Sequence, residues 1–372
     1  MVSFLYRCLL LCSLVSGVAA AAPVTVVDIA GRSVSVDAPV SRVMLADSRM
    51  LLALNIIHPA TPLKGIIAWD DSLTTRAPDM AAHFARRYPD LNQIPVFANP
   101  YRTDFSVERA LTLRPDLIVF DIGIQPKLQG NGTLALLEKS RIPVIFIDFR
   151  QQPMTNTLSS IRLLGQVFGE QPNAERFIAR YQQLFERIQR RVAPIPAEQR
   201  PTVLFENHAG MTGDPCCAIF GSNSFGQFIE VAGGKNLGAG LVPPQGADVN
   251  PEQVITSNPD IYLLSGADWS QRGGVSQAVP LGYGTTREAS LPRLQMLMTR
   301  NSLSVLKAVK EKRVMAIYHQ FYDSPFNVIA LEAMAKLFHP DAFADVNPQA
   351  DLEALFREFT GVEYGGLFFL TL

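Results

Sequence analysis

Residues 172–192 read PNAERFIARYQQLFERIQRRV, and the reading of the fold hangs on them. Apolar side chains fall at Phe177, Ile178, Tyr181, Leu184, Phe185, Ile188 and Val192, the i, i+3, i+4, i+7 spacing of an amphipathic helix. The opposite face carries Glu175, Arg180, Glu186, Arg187 and Arg190. Pro172 suits a first helical turn, and Pro194 and Pro196 close the run. At ~1.5 Å per residue such a helix is roughly 30 Å long. Its position in mid-chain leaves two readings, a surface helix of one domain or the connector of two. The flanks decide between them.

On both sides, short apolar runs alternate with helical patterns. Before the helix the runs are Val43–Leu45, Gly65–Ala68, Leu117–Phe120 and Val144–Ile147, preceded by the alternating hairpin pattern VTVVDIAGRSVSV at 24–36. After it they are Thr202–Phe205, Ile261–Leu264 and Arg313–Ile317. Helical patterns such as Ser106–Leu113, Thr155–Phe168 and Asn327–Phe338 separate them, which predicts βαβ units and mainly parallel sheets. Two segments correspond closely. SVERALTLRPDLIVF (106–120) and NPEQVITSNPDIYLL (250–264) both run Glu, six residues, Pro-Asp, then an apolar strand. A carboxylate in the first turn is favoured by the helix dipole, and the proline ends the helix before the strand. One such unit in each half predicts two related α/β lobes joined by a single long helix. The expected divisions are an N-terminal lobe at 22–152, a linking helical segment at 153–195 and a C-terminal lobe at 196–372.

In these features the chain resembles the periplasmic substrate-binding proteins of ABC importers for siderophores, haem and cobalamin. The resemblance covers the N-terminal VTVVDIAGRSVSVDAPVSRVMLAD, both Glu-x6-Pro-Asp units and the linking helix. It also covers FGQFIEVAGGKNLG (225–238) and VLKAVKEKRVMAIYHQFYDSPFNVIALEAMAKLFHPDAF (305–343). It implies a monomeric carrier without a cofactor, working with an ABC permease and ATPase in the inner membrane. It implies further that Glu108 and Glu252, one per lobe, meet arginines on the permease. Read from the residues alone, each glutamate supports only its own helix N-terminus.

The first 21 residues read as a cleavable signal peptide: Arg7, an apolar stretch from Cys8 to Val18, and the small-residue site Val18-Ala19-Ala20. Cys12 follows Leu9-Leu10-Leu11, which does not suit lipidation, so a soluble periplasmic protein is expected. An apolar fraction of 48% fits a globular chain, and a formal charge of −1 gives no sign of nucleic-acid binding. Ser, His and Asp are present, but no Gly-x-Ser-x-Gly elbow, phosphate loop or zinc-protease helix accompanies them. A carrier is therefore expected rather than an enzyme, with a metal-dependent enzyme on the same scaffold as the lesser reading.

In open α/β sheets ligands bind beyond the carboxyl ends of the strands. That rule selects Arg49, Trp69 and Arg150 from the first lobe and His208, Trp269, Tyr318 and Tyr322 from the second. The resemblance adds Tyr101 and Arg102, with Arg102 and Trp69 the leading candidates. Arginine forks suit carboxylate, catecholate or hydroxamate oxygens, and aromatic faces add stacking. The set points to a ferric siderophore, an iron chelate whose metal is already wrapped, with haem and cobalamin as alternatives. No protein metal site is expected, since the histidines show no ligand spacing, although direct haem ligation by Tyr318, His319 or Tyr322 stays open. Once the leader is removed, Cys216 and Cys217 are the remaining cysteines. They read either as a vicinal disulfide stiffening a loop at the cleft rim or as two small buried apolar side chains.

Overall fold

A computed structural model describes residues 22–213, 216–270 and 276–372; the expected signal segment lies outside the described residues. β1 (Ala22–Val27) and β2 (Ser33–Ala38) form the expected antiparallel hairpin, with Gly31 at φ +74° in its turn. β3 (Val43–Leu45), β4 (Ile66–Asp70), β5 (Val96–Phe97), β6 (Leu117–Asp121) and β7 (Val144–Ile147) then build one sheet in the order β5-β4-β3-β6-β7. Every neighbouring pair in it is parallel. The interior strand β6 reads LIVFD and is buried throughout, as a strand covered by helices on both faces must be.

The second sheet is mixed. Its parallel centre is β8 (Thr202–Asn207) and two later strands. β9 (Ala218–Ile219) lies antiparallel on β8, β10 (Lys235–Asn236) adds a short parallel pairing, and β11 (Ala247–Asp248) extends the edge. β12 (Ile261–Gly266) is central, while β13 (Gly282–Tyr283) pairs elsewhere, with the chain end. β14 (Val314–Tyr318) lies parallel to β12, β15 (Gly366–Leu367) takes up β13, and β16 (Phe369–Thr371) closes the edge antiparallel to β14. The apolar tail GGLFFLTL, silent at the level of sequence, is thus sheet edge. The helix Arg287–Leu297 is another element the sequence pattern does not announce: it contains Pro292 and has no apolar stripe.

The two Glu-x6-Pro-Asp units fold alike. Glu108 and Glu252 sit exposed in the first turns of helices Val107–Leu113 and Pro251–Ser257, capped by Ser106 and Asn250. Both helices end in a left-handed residue, Arg114 (φ 50°) and Asn258 (φ 36°). The aspartates that follow bind the start of a neighbouring strand. Asp116 accepts from the backbone N–H groups of Ser41 (2.7 Å) and Arg42, and Asp260 accepts from that of Thr202 (2.9 Å). The motif is a clip that sets the register of β6 on β3 and of β12 on β8.

The central helix spans Gln171–Val192, after a 16-residue helix Pro153–Phe168 that Gly169 terminates at φ 74°. Its apolar stripe is buried, from Ala174 and Phe177 to Ile188 and Val192. It touches both lobes: Asn173 Nδ2 donates to Ile57 O (3.0 Å) in the first, and Tyr181 Oη donates to Asn327 Oδ1 (2.8 Å) in the second. Arg187 adds ion pairs to Glu332 and, at 2.6 Å, to Asp351.

Candidate ligand-binding cleft

In the first sheet β4 and β6 flank β3 on opposite sides, so the strand order reverses there and leaves a crevice at the carboxyl ends. Asp70, the last residue of β4, organises the loops beyond it. Its carboxylate accepts from Ser48 N–H (2.7 Å), Ser48 Oγ (2.9 Å), Ser72 N–H (3.1 Å) and Asn99 Nδ2 (2.5 Å). These bonds fix the turn carrying Arg49 against the short helix Ser72–Arg76. From the other lobe, His208, Trp269 and His319 follow β8, β12 and β14. The N–H of His208 donates to Ser265 Oγ (2.8 Å), tying the first of these loops to the second strand.

Between the loops lies a cleft of about 650 Å³. Arg49, Thr74, Thr75, Arg76, Pro78 and Arg102 line one wall; His208, Met211, Asp268, Trp269, His319, Gln320 and Tyr322 line the other. The second wall is a run of packed rings. His208 and His319 lie 4.3 Å apart between centroids, Trp269 is 5.4 and 5.3 Å from them, and Tyr322 is 4.6 Å from His319.

Five of the nine expected ligand residues meet here: Arg49, Arg102, His208, Trp269 and Tyr322. Their roles differ. Arg49 is almost wholly buried and spans the lobes, bound to Asp47 (2.5 Å) and Asp323 (2.7 Å), with Nη1 donating to Tyr322 Oη (2.6 Å) and Gln320 Oε1 (3.2 Å). It is a strut, with its charge already matched. Arg102 is half exposed and paired with Asp71. Tyr101 and Arg150 form a neighbouring stack, the guanidinium 4.6 Å from the ring centroid and 2.9 Å from Asp121. The remaining two turn away from the cleft. Trp69 precedes the strand end by one residue, so the pleat directs it into the core, and Tyr318 is buried with its hydroxyl on Asp79 (2.8 Å). Sequence reasoning passed over Arg76, because SLTTR has no apolar period from which to place a helix. Among the described residues no acidic side chain pairs with Arg76.

The buried acids respond to this packing. Burial raises the Asp323 carboxyl to about 7; Arg49 opposes the rise and Asp47 reinforces it, because two carboxylates share one guanidinium. Asp47 also meets a burial penalty, but Arg49 outweighs it and holds Asp47 below the usual range. Burial raises Asp70 and Asp79 to about 6. Asp79 crosses between the lobes, accepting from Tyr318 Oη and from the N–H of Tyr283 (3.1 Å).

Residues 66–320 match the family of periplasmic binding proteins, a stretch longer than half the chain. The chain belongs to that family. Solved structures agree on the architecture of this binding protein. The TroA-like periplasmic binding protein FepB from Veillonella parvula is 27% identical, with a TM-score of 0.85 over 94% of this chain and 100% of that one. The molybdate-binding MolA of Haemophilus influenzae is 16% identical, with a TM-score of 0.68 over 92% of this chain and 99% of its own. The haem-binding RhuT from Roseiflexus sp. is 20% identical, with a TM-score of 0.55 over 81% and 99%. At such identities the last two share the fold and no more. Among curated protein sequences none matches the chain. No helix of the described residues is long and apolar enough to cross a membrane.

Proposed function

We propose that this binding protein captures a ferric siderophore in the periplasm and delivers it to an ABC permease and ATPase through Glu108 and Glu252. The carrying observation is the make-up of the cleft: a wall of four rings faces Arg76 and Arg102, with Arg49 fixed behind them. Such a surface binds a large anionic chelate by stacking and forked hydrogen bonds. Both glutamates are exposed at equivalent places in the two lobes, as a bidentate docking contact requires. The volume of about 650 Å³ falls within the range of small-molecule sites.

Trp269 lies in the cleft wall, so quenching of its emission reports occupancy. Titration with catecholate, hydroxamate and carboxylate ferric chelates, molybdate, haem and cobalamin is the direct test. Saturable quenching at micromolar or lower concentration by a ferric chelate alone is expected; saturation by haem or cobalamin instead overturns the ligand assignment. One observation favours that second reading. The adjoining rings of His208 and His319 put imidazole nitrogens at the cleft wall, where a metal with an open axial position finds a donor.

A further inference from the structure

Cys216 and Cys217, their sulfurs in direct contact, are not among the residues lining the cleft. Gln320 is, and both ends of its amide are held by the other lobe. It follows β14 in the short 3-10 turn His319–Asp323 and is 7% exposed. Its Oε1 accepts from Arg49 Nη1 (3.2 Å), and its Nε2 donates to the backbone oxygen of Arg76 (2.8 Å). Chemistry fixes the orientation of the amide. A guanidinium can only donate, so the oxygen faces Arg49 and the NH2 group faces the carbonyl.

Arg76 O belongs to the last turn of the helix Ser72–Arg76, where carbonyls have no partner within their own helix. That helix is a single turn anchored at both ends. Its start is tied to its own lobe, Ser72 N–H donating to Asp70 (3.1 Å). Its end is tied to the second lobe by Gln320. Ala77, at φ −135° and ψ 57°, then breaks the chain before the next helix, Pro78–Arg87, which is moored separately. There Asp79 accepts from Tyr318 Oη (2.8 Å) and from the N–H of Tyr283 (3.1 Å), and His83 stacks on Tyr283 at 4.8 Å. Among the described residues, no side chain other than Gln320 is hydrogen-bonded to Arg76.

We propose that Gln320 is a positioning residue of the cleft: from the second lobe it fixes the last turn of the helix Ser72–Arg76, and thereby the place at which Arg76 meets the ligand. Arg49, held by its own carboxylates, keeps the amide turned toward that carbonyl. The bond makes the geometry of Arg76 depend on how closely the lobes approach. A rotation that withdraws Gln320 leaves the carbonyl to water and the turn free to fray.

The consequence for affinity rests on the ligand reading given above; the hold on the helix does not. Gln320→Glu keeps an acceptor for Arg49 but turns a carboxylate oxygen toward the Arg76 carbonyl, so it removes one of the two bonds. Gln320→Met, similar in length and without an amide, removes both. The experiment measures hydrogen exchange of residues 72–77 in the ligand-free protein. It also measures ferric-chelate affinity by Trp269 quenching, with each Gln320 substitution placed in the parent and in Arg76→Ala. Both variants should speed exchange at 72–77 and leave the helix Pro153–Phe168 at the parental rate. Affinity should fall several-fold in the parent and by less than about twofold in Arg76→Ala, since the effect passes through Arg76. Parental exchange in both variants, faster exchange spread over the whole chain, or an equal loss of affinity in the two backgrounds each overturn the proposal. Should exchange at 72–77 rise in a protein that binds no ferric chelate, the hold of Gln320 on the helix stands and the ligand assignment falls.

Discussion

Arg49 and Arg76 are two arginines on one cleft wall with opposite duties. Arg49 is buried between Asp47 and Asp323, so Arg49→Ala strands two carboxylates in a dry interface. Breaking such a pair costs on the order of 3–5 kcal/mol, and urea denaturation should show a loss of that size. Arg76 has no acidic partner among the described residues, so Arg76→Ala should leave stability within about 0.5 kcal/mol of the parent. If a charge-assisted hydrogen bond to the ligand is lost, affinity falls roughly tenfold or more, readable by Trp269 quenching. Equal affinities for Arg76→Ala and the parent would remove Arg76 from the proposed site. From sequence, all arginines in the candidate set look alike. Which ones are neutralised depends on acids distant in the chain: Asp323 lies 274 positions after Arg49.

Among the elements, the central helix and the two Glu-x6-Pro-Asp clips carry the argument. Ala179 is exposed in mid-helix, so Ala179→Pro tests the backbone rather than packing. Loss of one helical hydrogen bond and the ring clash should cost ~3 kcal/mol or more, visible as a lowered thermal midpoint. The clips separate into two functions. Asp116 and Asp260 hold strand register, whereas Glu108 and Glu252 face solvent. Glu108→Arg with Glu252→Arg should therefore abolish uptake in a transport assay and leave ligand affinity unchanged; normal uptake by that variant would refute the docking role. These elements were legible beforehand, since apolar period, capping residues and prolines act within a few residues of one another. The helix Arg287–Leu297 and the strand β16 were not, because what forms them is contact with the rest of the lobe.

For the whole molecule, the two lobes meet through titratable groups. At that interface burial raises the Asp323 carboxyl to about 7 and that of Asp79 to about 6; away from it, burial raises Asp70 to about 6 and Glu332 to about 7. Groups raised in this way keep their proton in the native state and lose it in the unfolded one. Their contribution is complete below pH ~4 and is lost as pH rises through 6–7. Denaturation midpoints should accordingly fall between pH 5 and pH 8, and Asp323→Asn should flatten the upper part of that slope. An unchanged slope would mean that Asp323 is ionised throughout. The polar links across the cleft, Arg49 to Asp323 and Asp79 to Tyr318, act together with the long helix to limit lobe rotation. Solution scattering should show a change of only a few degrees on ligand binding, and marked compaction would contradict this.

The sequence by itself determined the alternation of strands and helices, the duplicated clip, the connector and the family, because each rests on short-range pattern. The tertiary structure alone decided which side chains share the cleft. Trp69, a leading candidate by its place near a strand end, went to the core because the pleat turned it there. Arg76, with no pattern to mark it, came to the cleft because Asp70 fixes its helix beside Arg49. Which face of a strand meets the core is set by how the helices pack on the sheet, and the pairing of Arg49 with Asp323 joins residues hundreds of positions apart, so no local period encodes either.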